Sequence, residues 1–262
     1  MAEFSSHTPG TFCWPELATT DREAAVSFYR ALFGWDLNEQ PIGPTDTYSI
    51  FQMRGKEVAA AYTMRPEERR SGAPPHWNAY VTVANADETV KLAQELGAKV
   101  LAPPFDVTDA GRMAVLQDPT GAVFQVWQPK KHVGAKILNE PGALCWTELA
   151  TRDTKAAQTF YTQLFGWTAK AAGAGTAMEY TELSNQGKPG AGMMAMPAQV
   201  PAFVPAYWMS YFQVADCDAS TAKATSLGAS VTVPPMDIPN VGRFSVVSDP
   251  QGAMFAMFTP RV

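Results

Sequence analysis

The sequence predicts an α+β protein built of tandem βαβββ modules, and two observations carry that prediction. The first is internal repetition. Pro9 to Trp35 aligns with Pro141 to Trp167 at a constant offset of 132 residues, with "PG", "CW", "ELAT", the aspartates Asp21 and Asp153, "FY" and "LFGW" unchanged. The likeness resumes at Trp77 and Trp208, then runs through "LGA" at Leu96 and Leu227, "PP" at Pro103 and Pro234, "GR" at Gly111 and Gly242, and "DP" at Asp118 and Asp249. Each half of the 262-residue chain is therefore a unit of ordinary domain size. The polar, Gly/Pro-punctuated stretch "QPKKHVGAKILNEPG", Gln128 to Gly142, contains the boundary, and the domains are read as residues 1–130 and 131–262.

The second observation is a repeated change of hydrophobic period inside one unit. Phe12 to Ala18 alternates as a strand does, and "TDREAAVSFYRALFG" then places Ala25, Phe28 and Leu32 on one helical face. Thr20 and Glu23 have capping-box spacing, and Gly34 supplies the C-terminal stop. Short strand-like runs follow at "TYSIFQM" and "VAAAYTM". The pattern then begins again, with "WNAYVTV" as a strand and "DETVKLAQELGAK" as a helix. "KVLAPP", "RMAVLQD" and "AVFQVWQ" complete it, the last two joined by the turn "DPTG". Each half reads as strand, helix and three strands, twice over.

Composition narrows the function. With 46% hydrophobic and 17% charged residues the chain is a soluble globular protein with a sizeable core. A formal charge of -5 and the lack of a Lys/Arg-rich run argue against a nucleic-acid partner, whose phosphates need neutralising. The start "MAEFSSHTPG" has no signal-peptide character, and no apolar run reaches the roughly 18 residues of a membrane span, so a cytoplasmic location and no membrane partner are expected. Cys13, Cys145 and Cys217 form no CxxC pair and read as small core residues.

The strand-to-"FY" helix ending in "LFGW" (Phe28 to Trp35, Phe160 to Trp167) and the "DPxGAxF" turn and strand (Asp118 to Phe124, Asp249 to Phe255) resemble the vicinal oxygen chelate superfamily, which includes glyoxalase I, bleomycin-resistance proteins and extradiol dioxygenases. The resemblance covers essentially the whole chain, and "CWxELAT" is similar to the tandem two-domain form. It implies two glyoxalase-like domains, each a curved mixed sheet with helices outside and an open cup within. Enzymes of that family usually hold a divalent metal with His or Gln on the first strand of a module and Glu on its fourth.

Carried over residue by residue, the first-strand places fall on Trp14, Asn78, Trp146 and Met209, and the fourth-strand places after the "DP" turns on Gln125 and Ala256. The remaining two lie within "EVAAAYTM" and "PGAGMMAM", where only Glu57 has a ligating side chain. These positions lack the carboxylate and imidazole donors that divalent ions require, so no metal ligand and no cofactor are expected. His7 in the tail, His132 in the linker and His76 before a strand read as surface or structural residues.

Side chains two apart on a strand share a face, so Glu16 points into the same cup as Trp14, and Glu148 into the same cup as Trp146. Burial against indole raises a carboxyl pKa, which makes Glu16 and Glu148 candidate acid-base residues; the bland alternative is a hydrogen-bonded Glu beside a plugging Trp. Trp14, Asn78, Tyr80, Gln125, Trp127 and Trp146 are the candidate ligand-binding residues, and the greater polarity of the first set favours the first cup. Arg112 and Arg243, six residues after Asp106 and Asp237, read as hairpin-bridging ion pairs. Tyr29 and Tyr161 read as core packing, and the methionines crowding the second half as filling of its cup.

Two functions from different classes follow. One is metal-free binding of a small, partly aromatic or apolar molecule in a cup. The other is a glyoxalase-like lyase or isomerase that uses Glu16 as acid-base, or a metal on unconventional ligands. The partner is a small molecule in either case, and the chain acts as a monomeric pseudo-dimer or a homodimer.

Overall fold

The computed structural model describes residues 3–43, 46–70, 72–172 and 180–261. The first half runs β1 (Phe12–Thr19), α1 (Arg22–Phe33), β2 (Asp36–Pro41), β3 (Thr47–Met53), β4 (Lys56–Thr63), a short α2 (Pro66–Arg70), β5 (His76–Thr82), α3 (Ala86–Glu95), β6 (Lys99–Val107), β7 (Gly111–Gln117) and β8 (Val123–Pro129). The second runs β9 (Leu144–Thr151), α4 (Thr154–Phe165), β10 (Thr168–Ala172), β11 (Tyr180–Asn185), β12 (Lys188–Ala195), β13 (Tyr207–Gln213), α5 (Cys217–Ser226), β14 (Ser230–Ile238), β15 (Gly242–Ser248) and β16 (Met254–Pro260). Each half folds into one eight-stranded mixed sheet, ordered β2-β3-β4-β1-β5-β8-β7-β6 and β10-β11-β12-β9-β13-β16-β15-β14. No helix among the described residues is long and apolar enough to cross a membrane.

Local signals explain most boundaries and correct one expectation. α1 is capped by Asp21, whose carboxylate accepts from the Ala24 N–H at 3.0 Å, and not by Thr20. The Asp side chain reaches the exposed N–H groups from one residue later, so Thr20 with Glu23 forms no capping box. Asp153 caps α4 in the same way at 2.9 Å. Gly34 and Gly166 end their helices in the left-handed conformation, φ 73° and 69°. β2 has no apolar alternation because it is a polar edge strand with no fully buried residue.

The hydrophobic cores are shared between halves. α1, Phe51, Val58 and Trp77 of the first half pack against Phe212, Val247, Phe255 and Met257 of the second. In the mirror arrangement α4, Leu149 and Trp208 pack against Val81, Leu116, Phe124 and Val126. Each sheet thus uses two modules of one half, while each core joins one module from either half.

Polar relays fix that union. The Trp77 indole donates to the Tyr29 hydroxyl at 3.0 Å, and Tyr29 donates to Asp249 Oδ2 at 3.0 Å across the halves. Trp208, Tyr161 and Asp118 repeat this at 2.8 and 2.9 Å. The other oxygen of each aspartate accepts from its own turn, at the Ala122 and Ala253 N–H groups. Tyr29 and Tyr161 are fully buried, so they pack the core and carry these bonds as well. The "LFGW" indoles of Trp35 and Trp167 donate to the Gly142 and Gly10 carbonyls of the opposite half, each at 2.8 Å. Arg112 grips Asp87 on α3 through two nitrogens and approaches Asp106 at 3.5 Å, and Arg243 does the same with Asp218 and Asp237, so both are structural ion pairs.

Because neither half owns a complete core, calorimetry should show one unfolding transition rather than two. Tyr29→Phe removes the Tyr29–Asp249 bond and leaves buried polar atoms unpaired. It should lower stability by about 2 kcal/mol, read as a lower denaturant midpoint at unchanged slope.

Candidate functional site

The face of each sheet turned away from the helices carries the candidate site. β1 and β5 pair so that Trp14 stands opposite Tyr80 and Glu16 opposite Asn78, while Tyr80 stands beside Gln125 on β8. These side chains meet. Glu16 Oε1 accepts from the Tyr48 hydroxyl at 2.6 Å, and Oε2 accepts from Tyr80 at 2.7 Å and from the Asn78 amide at 3.4 Å. The Trp14 indole donates to Tyr48 at 3.2 Å, giving a Trp-to-Tyr-to-Glu relay. Gln125 donates to Asn78 Oδ1 at 2.7 Å, and its own Oε1 is buried and accepts no hydrogen bond from the protein. Trp127 packs edge-on to Tyr80 and donates to the His132 carbonyl.

The second cup repeats the relay with fewer amides. Trp146 donates to the Tyr180 hydroxyl at 2.8 Å, and Glu148 accepts from Tyr211 at 2.8 Å and also from Tyr180. Met209 and Ala256 stand where Asn78 and Gln125 do. Met209 alone among the second-half methionines belongs to this cup cluster; Met193 and Met257 pack in the cores on the other face of the sheet. Strand parity sends Met193 and Met257 to the core face and places Met194 and Met254 on the same faces of their strands as Gly192 and Ala256, on the side of Met209.

Burial raises the Glu16 carboxyl above its ordinary value of 4.5, against the opposing pull of the Tyr48, Tyr80 and Asn78 hydrogen bonds. Glu148 is raised for the same reason, opposed by Tyr211 and Tyr180. Among the described residues neither carboxylate has a Lys or Arg partner.

Strand register locates the two remaining fourth-strand places. Ala60 pairs with Glu16 as Gln125 pairs with Tyr80, and Gly192 pairs with Glu148 as Ala256 pairs with Tyr211. Glu57 lies elsewhere on β4, committed to His132 at 3.3 Å and Lys136 at 3.4 Å. The places for a divalent metal thus hold Trp14, Ala60, Asn78 and Gln125 in one cup and Trp146, Gly192, Met209 and Ala256 in the other. Indole, methyl, amide and thioether groups do not form the donor set of a hard or borderline divalent ion, so the residues present do not fit the metal. Among the described residues no group of three His, Cys, Asp or Glu side chains converges.

Tyr48 and Tyr180 are the site residues that sequence reasoning missed. Their signal is the repeat itself, since they keep the offset of 132 residues shared by the Trp14/Trp146 and Glu16/Glu148 pairs.

A curved-sheet pair of this kind, built from four βαβββ modules, is matched by the sequence profile of the Glyoxalase/Bleomycin resistance protein/Dioxygenase superfamily over residues 11–126 and 143–257. The chain belongs to that superfamily. It is 41% identical over 261 residues to CFP32 of Mycobacterium tuberculosis, covering 99% of this chain and 98% of that protein. It is 33% identical over 260 residues to the anthracycline biosynthesis protein DnrV of Streptomyces peucetius, covering 95% of this chain and 93% of that one. Among solved structures it resembles in fold the Mn(II)-bound glyoxalase of Novosphingobium aromaticivorans, at TM-score 0.66 and 13% identity over 96% of this chain and 82% of that one. The 2,3-dioxygenase LapB of Pseudomonas sp. KL28 gives TM-score 0.63 and 14% identity over 100% and 94%.

A folded-state carboxyl pKa above the unfolded one stabilises fully below the unfolded value and loses that contribution as pH rises through the folded value. For Glu16 the loss begins above about pH 4.5. Glu16→Gln cannot ionise there, so its melting temperature should gain on that of the wild type between pH 4.5 and 8. Melting curves across that range test it, and a constant difference would contradict the assignment.

Proposed function

We propose that this protein binds a small, partly aromatic molecule in a sheet cup and does so without a metal. The observation that carries the reading is the floor built twice over: a carboxylate held by two phenols, one of them bonded to an indole, beside metal places that have lost their ligands. Aromatic walls with a few convergent polar groups are the usual composition of a small-molecule site. The relative DnrV is named for anthracycline biosynthesis, and an anthracycline is a fused aromatic molecule, which fits such walls.

A second reading, a metal-free lyase or isomerase, is supported by the raised pKa of Glu16 and Glu148, since a buried carboxyl titrating nearer neutrality serves as acid or base. Turnover that disappears in the Gln variants while binding persists would favour it.

A bound ion stabilises the state that holds it, so a metal-dependent protein melts lower in chelator. Here the melting temperature should be unchanged by EDTA, and elemental analysis of protein purified without chelator should find no stoichiometric transition metal. A fall in melting temperature restored by one particular ion would contradict the metal-free reading.

A further inference from the structure

The two cups have equivalent floors and different covers. In the first, the linker between the halves crosses the mouth. The Ala135 N–H donates to the Cys13 carbonyl at 2.7 Å, and the Lys136 N–H to the Glu57 carbonyl at 2.8 Å. The His132 ring stands edge-on over the Trp14 indole with centroids 4.5 Å apart, and its carbonyl accepts from Trp127 at 2.9 Å. The N-terminal segment braces this strap from outside, through His7 to the Ala135 carbonyl at 2.8 Å and the Phe4 N–H to the Lys136 carbonyl at 2.9 Å. Trp14, Glu16 and Trp127 are left 4%, 8% and 5% exposed.

Among the described residues, the apolar side chains packed on the floor of the second cup all come from the sheet's own strands, among them Trp146, Met209, Phe244 and Phe258. Trp146, Glu148 and Phe258 are partly exposed there, where Trp14, Glu16 and Trp127 are buried. Ala256 in place of Gln125 and Met209 in place of Asn78 remove the amides that crowd the first floor. A carboxylate offers about four acceptor positions, of which the two phenols take two.

We propose that the second cup is the working site and takes a flat aromatic molecule with one hydroxyl or amino donor directed to Glu148, while the chain's own linker closes the first. This rests on the binding reading above and assigns it to one half. The first cup shows what the floor accepts: a planar ring set edge-on against the indole with peptide polar groups beside it, all supplied by residues 132–136.

The test is calorimetric titration with 2-naphthol and with its methyl ether, which keeps the rings and lacks the donor. The intact chain should bind one equivalent of naphthol, about tenfold or more tighter than the ether, as a hydrogen bond to a charged group implies. Glu148→Gln should erase most of that preference, and Trp146→Phe, which keeps the packing, should weaken both probes and serves if Glu148→Gln does not fold. Gly134 has φ +102° and lies where a Cβ would strike the Cys13 carbonyl, so Gly134→Val should lift the strap and raise the stoichiometry to two. Naphthol binding abolished by Glu16→Gln but kept by Glu148→Gln would overturn the assignment and leave the binding reading intact. No saturable binding of either probe to the intact chain would overturn both.

Discussion

Each half of this protein makes a sheet whose helix-side face it does not cover alone. A single βαβββ module supplies one long helix, and each core cluster joins residues of both halves. The solution is reciprocal: α1 and its strands pack against residues of the second sheet, and α4 against residues of the first. The Trp–Tyr–Asp relays sit at those two junctions and are buried, so they are satisfied only when the halves are docked. With one face of each sheet taken up in this way, the Trp–Tyr–Glu relays lie on the other.

The reciprocal packing is nearly two-fold symmetric, but the covalent chain is not. One linker runs from Pro129 at the end of β8 to Leu144 at the start of β9. That single connection lies across the first cup. Its residues are tied down by backbone hydrogen bonds to Cys13 and Glu57 and by the His132–Glu57 contact, so the cover belongs to the fold. Two equal floors, Trp14–Tyr48–Glu16 and Trp146–Tyr180–Glu148, thereby acquire different access.

Much of this was legible in the sequence, for physical reasons that can be named. The modules announced themselves because strand and helix periods alternate and the repeat holds at constant offset. β2 was harder to read because a polar edge strand has no buried face to impose alternation. Trp14, Glu16, Asn78, Tyr80 and Gln125 share one face by strand parity and could be gathered on paper; Tyr48 required knowing that β3 brings its hydroxyl over the carboxylate. The greater polarity of the first cup is legible in the sequence, whereas the hydrogen bonds its polar side chains make to one another and the linker lying over them come from the fold. No local signal marks "KKHVGAK" as a cover, since its polar, Gly-containing composition is that of any boundary, and its place depends on contacts with Cys13 and Glu57, far away in sequence.

The account stands most directly on where an aromatic molecule sits. A crystal structure of the protein soaked in 2-naphthol should show the ring against Trp146 with its hydroxyl on Glu148, and residues 130–138 lying undisturbed across the first cup. A ring over Trp14 and Glu16 with the linker displaced, or an ion coordinated by Glu16, Asn78 and Gln125, would contradict it.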